Sequence, residues 1–338
     1  MVGLSVVLIV RGTTRQDAVP GSPGAASAGS YRVVYRVDDS VDSQSQAQTE
    51  TDVLDVERPD HLRLEHREGP PPGGRLLGGS VVNRQDSMNL PDDYAVSATP
   101  RTIPNELQIY SEPVLRAAVQ AGKAESLGTA TVIGRQCIRY LYRNFGNEAL
   151  SRGSDQDHVE TCVTTDGVML REAITAGGRQ VRLLQAVDLD RAPHFASDTF
   201  LSTDKKPNPL ADTEQVTEGP PDSEAKVVRG PAPTGLQMDW NVTEVLRDSG
   251  QGLALPFYME RFTNGADFVV TEQSLHGVAE VPWTTTGGDE VDLGGGRRGR
   301  LLYHTGYVEV QTAVSNSAVR VLASRPDLAL YEAERLHT

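Results

Sequence analysis

Lysine is nearly absent from this 338-residue chain, supplying only 4 of its 32 basic residues and leaving 28 to arginine. Arginine is not needed that often for bidentate contacts, so a GC-rich genome explains the ratio and no function is read from it. Positive charge as a whole is short: the formal net charge is −14. A chain this acidic is a poor partner for nucleic acid, where phosphates must be neutralised by a basic surface. It is equally unsuited to electrostatic docking on anionic lipid head groups, and solubility accounts for the acidic balance. Apolar residues reach 38%, below the usual share for a globular domain. The shortfall gathers in Pro- and Gly-rich connectors, so the remaining segments can still build cores.

Long hydrophobic runs are missing too. The longest at the start, Val2–Val10, is interrupted only by Gly3 and Ser5 and stops at Arg11. It is too short for a bilayer, which takes about 20 residues. It has no basic segment before it, no small-x-small cleavage site after it and no nearby cysteine to carry a lipid. Two readings compete: a membrane or signal segment whose upstream half is missing, or a first core strand. The Gly-, Ala-, Ser- and Pro-rich run that follows looks like a stalk, which a core strand would not precede. Residues 1–12 are therefore expected to be a residual membrane segment and 13–30 a flexible stalk.

Catalytic signatures are also lacking. HExxH, GxSxG, GxxxxGK[ST] and zinc-type Cys/His spacings do not occur. The run Gly294–Arg300 is glycine-rich and basic but lacks the Lys-Ser/Thr ending and precedes a strand, so a mobile hairpin loop is expected there, not a phosphate cradle. Ser154, Asp155, Asp157 and His158 cluster at a hairpin tip, where Asp and Ser ordinarily bond local backbone and only seldom hold a divalent ion. His61 and His66 fall on opposite faces of one strand, which defeats joint ligation. Asn241-Val-Thr243 fits a glycosylation sequon that is short enough to be accidental. No catalytic residue, metal site or cofactor is assigned, and the chain is expected not to be an enzyme.

What is present is strand periodicity. Tyr31, Val33, Tyr35 and Val37 alternate with Arg32 and Arg36, the period of a half-buried strand. Further strands are expected at Thr51–Glu57, His61–Arg67, Gly79–Arg84, Asp86–Leu90, Gly128–Tyr142, His158–Thr165, Val168–Ala176 and Gln180–Leu189. One helix is signalled by Ser111 as N-cap, Pro113 in the first turn, the stripe Val114, Leu115, Ala118, Val119, and Gly122 as terminator. From residue 202 to 235 periodicity vanishes among prolines and charges, a linker composition. Beyond it, strands are expected at Phe257–Phe262, Phe268–Leu275, Leu301–Thr305, Tyr307–Ala313 and Val319–Ala323, with a closing helix Asp327–Leu336. The fold class is α+β, mostly antiparallel β, with no βαβ alternation. The expected domains are residues 31–201 and 236–338.

Cys137 and Cys162 lie on adjacent expected strands. If they face each other, the register puts Tyr142 opposite Asp157. Opposed positions fall within disulfide reach, and closing such a loop stabilises by roughly 3.5 kcal/mol in the chain-entropy model. Two buried thiols are the alternative. The even count, the apparent export segment and the matched register favour the disulfide.

Three stretches carry a resemblance: Val56-Glu-Arg-Pro-Asp-His-Leu-Arg-Leu-Glu65, Thr131-Val-Ile-Gly-Arg-Gln-Cys-Ile-Arg139 and Cys162-Val-Thr-Thr-Asp-Gly-Val-Met-Leu-Arg171. In order and spacing across Tyr31 to Phe200 they resemble the LolA/RseB (MucB) family of lipoprotein- and lipid-binding proteins. Leu255-Pro256-Phe-Tyr-Met and the stretch from Ser324 to Leu328 are similar to the smaller C-terminal domain of RseB-like members. The resemblance implies a half-open antiparallel barrel covered by helices, whose apolar hollow takes an acyl chain or lipoprotein segment. Tyr31, Val33, Tyr35, Leu62, Leu64, Leu115, Val119, Tyr140 and Tyr142 are the candidate lining, ordinary core being the other role open to each. It further implies an extracytoplasmic location and a membrane regulatory partner such as an anti-sigma factor. The family's carrier role is the alternative, as is a purely protein-binding module. An N-terminal anchor favours sensing over shuttling, because a tethered carrier cannot cross a periplasm. The anchor, the cysteine pair and the acidic linker depart from the RseB pattern.

Overall fold

The computed structural model describes residues 29–39, 48–57, 61–83, 87–90, 95–97, 110–143, 156–201, 214–220, 227–247, 254–275, 288–315 and 317–337. The expected membrane segment and nearly all of the stalk lie outside the described residues. Among those described, no helix is long and apolar enough to cross a membrane.

The first part of the chain forms β1 (Ser30–Asp39), β2 (Gln48–Glu57), β3 (His61–Glu68), β4 (Leu76–Val82), β5 (Ser87–Leu90) and β6 (Ala95–Ser97). Helix α1 (Glu112–Gln120) follows, then β7 (Ala124–Val132), β8 (Arg135–Tyr142), β9 (His158–Val163), β10 (Met169–Ala176) and β11 (Arg179–Asp190). These strands make one 11-stranded sheet in the order β6-β5-β4-β3-β2-β1-β11-β10-β9-β8-β7. Each pairing is antiparallel, and β1 joins the two runs of hairpins by pairing with both β2 and β11. Alternation explains its central place: Tyr31, Val33, Tyr35 and Val37 are buried while Arg32 and Arg36 stay outside.

Two local features depart from simple alternation. The single run expected over Gly128–Tyr142 is a hairpin, β7 and β8, turned at Ile133 and Gly134 with φ of 46° and 70°. Positive φ at both central residues matches a turn that follows the right-handed strand twist. Gly134 is its one cue in the sequence; a β-branched residue such as Ile133 rarely occupies that region, which hides the turn. At Gly79 a side chain is impossible, because a Cβ there would overlap the Leu64 carbonyl oxygen across the β3–β4 pair.

The rest of the chain forms β12 (Glu214–Glu218), β13 (Gln237–Arg247), β14 (Ala254–Thr263), β15 (Phe268–Ser274), β16 (Asp289–Asp292), β17 (Arg298–Tyr303), β18 (Val308–Val314) and β19 (Ser317–Ala323), closed by α2 (Pro326–Arg335). Its 8-stranded sheet has the order β12-β13-β14-β15-β19-β18-β17-β16. Strand β12 lies inside the stretch of linker composition and pairs with β13, which lies outside the expected strands as well. Glu214–Glu218 is too short and polar to signal a strand alone; pairing with its neighbour makes it one. Helix α2 packs on β15, β18 and β19. The architecture is thus two antiparallel sheets with few helices, and among the described residues neither sheet closes into a barrel.

Cys137 and Cys162 form a disulfide, with Cα atoms 5.4 Å apart. The register is not the expected one: Tyr142 stands opposite Val159 and Arg139 opposite Cys162, a shift of two residues. The bridge therefore runs on a diagonal between β8 and β9, which the twist of an antiparallel pair can shorten to bonding distance.

Candidate functional site

The register of the first sheet sorts its residues onto two faces. One row reads Tyr31, Val56, Leu62, Val82 across β1 to β4, and the next reads Val33, Leu54, Leu64, Ser80. On the other side of β1 a row runs Val37, Leu184, Glu172, Thr161, Tyr140. Directly opposed residues point the same way, so these rows define a single inner face. All nine predicted lining residues belong to one hydrophobic cluster. Seven are buried, and Leu64 and Val119 pack against them half-buried.

Helix α1 packs beside the edge strand β7 of this sheet and against β17 of the second. Its stripe Val114, Leu115 and Ala118 is fully buried in the same cluster. Ser111 takes the N-cap position, as expected, but its side chain makes no cap bond. Its backbone N–H instead donates to Thr305 O on the second sheet's side at 2.9 Å. Lys123, just past the helix, pairs with Asp289 at 2.6 Å. The helix over the inner face is thereby tied at both ends to the second sheet.

A set of buried polar groups accompanies the helix, and sequence reasoning missed most of it. Tyr110 donates a short hydrogen bond to Glu172, and its hydroxyl lies 3.5 Å from that of Tyr142. Tyr140 donates to Glu112 Oε1 at 2.8 Å, and Arg116 pairs with the same carboxylate from one turn on. Tyr35 donates to Met169 O at 2.8 Å. Burial, reinforced by the neighbouring carboxylates, holds the hydroxyls of Tyr35, Tyr110, Tyr140 and Tyr142 far above the usual phenol range. They remain donors at any working pH. Glu112 also sits in the first turn of α1, where a carboxylate complements the helix dipole. Nothing in residues 110–112 signals this role, because the partners come from β8 and β10.

At the rim, His66 Nδ1 lies 2.7 Å from Asp52 Oδ1, directly across the β2–β3 pair, with Arg182 at 3.6 Å from the other oxygen. The hydrogen bond to Asp52 raises the imidazole above its ordinary range, against the effect of burial. His61 points the other way, as its parity requires, and meets the Phe200 ring at 5.7 Å.

The outer face carries ion pairs. Glu160 binds Arg139 at 3.1 Å and Arg171 at 2.7 Å, and the Arg139 bond leads in holding its carboxyl below the usual range. Residues 191–201 cross this face as a strap. Arg63 donates to Thr199 O and Asn83 to Phe200 O, both at 3.1 Å, while Phe195 and Phe200 pack edge to face at 5.0 Å. Between strap and sheet lies a polar groove of about 470 Å³ lined by Arg32, Asp55, Arg63 and Glu65 among others. Its arginines are already matched: Arg32 forks onto Asp55, and Arg63 and Arg67 share Glu65.

Among the described residues no cluster of three or more His, Cys, Asp or Glu side chains suits a metal ion. Ser154 and Asp155 lie outside the described residues. Asp157 accepts a hydrogen bond from Gly177 N at 2.7 Å, which ties the start of β9 to the β10–β11 turn. The Gly294–Arg297 stretch is a hairpin turn, and Arg297 reaches from it to the Leu336 and Glu334 carbonyls at the end of α2.

No protein-family model and no curated protein matches the chain. Among solved structures it is similar to MucB in complex with MucA(peri), with 13% identity, a TM-score of 0.29, and coverage of 91% of this chain and 93% of that one. The complex of Pseudomonas aeruginosa MucA/MucB gives 13% identity, a TM-score of 0.30 and the same coverages, 91% and 93%. A structure of MucB gives 11% identity, a TM-score of 0.30, and coverage of 93% and 94%.

Proposed function

We propose that this chain is a non-enzymatic, extracytoplasmic binding protein that receives an acyl chain or lipoprotein segment on the inner face of its first sheet. In this reading it acts as an RseB-like envelope sensor, with a membrane regulatory protein such as an anti-sigma factor as partner. The sheet is then the wall of a half-open barrel and α1 its cover. The observation that carries the reading is the gathering of all nine candidate residues into one apolar cluster, seven from strands of the first sheet and two, Leu115 and Val119, from α1 itself.

The energetics allow exchange. Val114 and Leu115 gain about 2 kcal/mol each from burial, whereas an acyl chain burying about ten methylenes gains about 8 kcal/mol. Lifting α1 breaks its ties to the second sheet, so occupancy of the inner face would be felt there.

Mass spectrometry of full-length protein purified gently from membranes tests this, first native and then denatured. An acyl species released only on denaturation supports the reading, as does uptake of a fluorescent fatty acid that Val119→Asp reduces. A clean apo mass with no uptake rejects lipid binding. The packed state of the face, with α1 seated and its tyrosines bonded, favours a second reading in that event: a surface module that binds protein alone.

A further inference from the structure

Helix α2 carries its apolar stripe at Leu328, Ala329 and Ala333, and one glutamate, Glu332, stands within it at 1% exposure. Neither Glu332 oxygen has a hydrogen-bond partner, although both are buried. A second buried carboxylate, Glu260, faces it from β14. The segment 227–230 closes the site, and Gly230 leaves the space that Glu332 occupies: a Cβ there would collide with Glu332 Oε1.

The surrounding charges are unevenly shared. Arg229 lies 3.7 Å from Glu260 and donates to the Tyr258 hydroxyl at 2.7 Å, and Tyr258 in turn bonds Glu260 at 3.3 Å. Those groups serve Glu260. Arg335 on α2 is bonded to the Tyr331 hydroxyl. Burial first, then the Glu260 charge, push the Glu332 carboxyl up to about 7, with Arg335 opposing. The helix end hangs on the same segment through paired Arg229 and His337 backbone bonds of 2.9 and 3.0 Å.

We propose that Glu332 is a proton-operated latch: α2 and segment 227–230 stay docked on the second sheet while Glu332 is neutral, and detach when it ionises against Glu260. A bare carboxylate in a buried site with no donor is costly, and undocking returns it to water. The device is independent of any ligand on the first sheet.

Hydrogen exchange on the full chain tests it. After correction for intrinsic exchange, the opening equilibrium of α2 amides should rise about 40-fold between pH 5 and pH 7, while amides of β1 stay unchanged. Glu332→Gln should hold α2 protection constant over that range. A pH-independent α2, or the same dependence in the variant, overturns the proposal. Should Glu332→Gln fail to fold, the ¹³C-carboxyl titration of Glu332 in the unaltered protein decides instead. A midpoint near 7 supports the latch, and one near the ordinary glutamate value of about 4.3 ends it.

Discussion

Cys137 is bonded to Cys162 even though Arg139, not Cys137, stands opposite that cysteine in the β8–β9 register. The bridge closes a 25-residue separation beside the Arg139, Glu160 and Arg171 ion pairs on the outer face. Loop closure of that length stabilises by about 3.5 kcal/mol in the chain-entropy model. Replacing both cysteines by alanine should lower the urea midpoint accordingly. An unchanged midpoint would mean the bridge constrains nothing in the unfolded chain.

Leu115 is fully buried between α1 and the inner face. Truncation to alanine removes apolar contact and leaves a cavity, so about 2–5 kcal/mol of stability should be lost. Chemical denaturation measures this directly, and a loss under about 1 kcal/mol would show that α1 is not packed as described.

Gly79 has φ of 148° on β4 and faces the Leu64 backbone. Alanine there should cost more than about 1 kcal/mol, whereas at a glycine of compatible conformation it would stabilise by about 0.4–1 kcal/mol, because β4 must separate from β3 to make room for the Cβ. Circular dichroism melts would reveal it; Gly128→Ala, where a Cβ would meet open space, isolates the cost of positive φ alone.

The His66–Asp52 pair makes stability depend on pH. Asp52 raises the folded-state imidazole above its ordinary value near 6.5. The pair's contribution is therefore complete below that ordinary value and is lost as pH rises through the raised folded one. Against His66→Asn, the unaltered protein should be the more stable at pH 5.5, with the gap closing toward pH 8.5. A gap that ignores pH would disprove a charged His66.

Much of the strand content was legible because alternation is a local signal. Tyr31 to Val37 announces β1, and Ser111 to Gly122 announces α1 with its bounds nearly right. The turn at Ile133 and the polar strand β12 were not, because Ile133 sits where glycine or asparagine is usual and β12 lacks the apolar alternation of a strand. The nine lining candidates were legible as apolar positions on strands and one helix. Tyr110, Glu112 and Glu172 were not, since a buried carboxylate or phenol reads in sequence like any exposed one.

By itself the sequence determined which residues alternate, where α1 begins and ends, that the chain is strongly acidic, and that two cysteines fall on neighbouring strands. These depend on period, composition and near neighbours along the chain. Only the tertiary structure decided the two-residue shift between β8 and β9, the tie of α1 to Thr305 and Asp289, and the enclosure of Glu332 beside Glu260. Those depend on contacts between positions far apart in the chain, where register, twist and burial are set by how whole sheets pack.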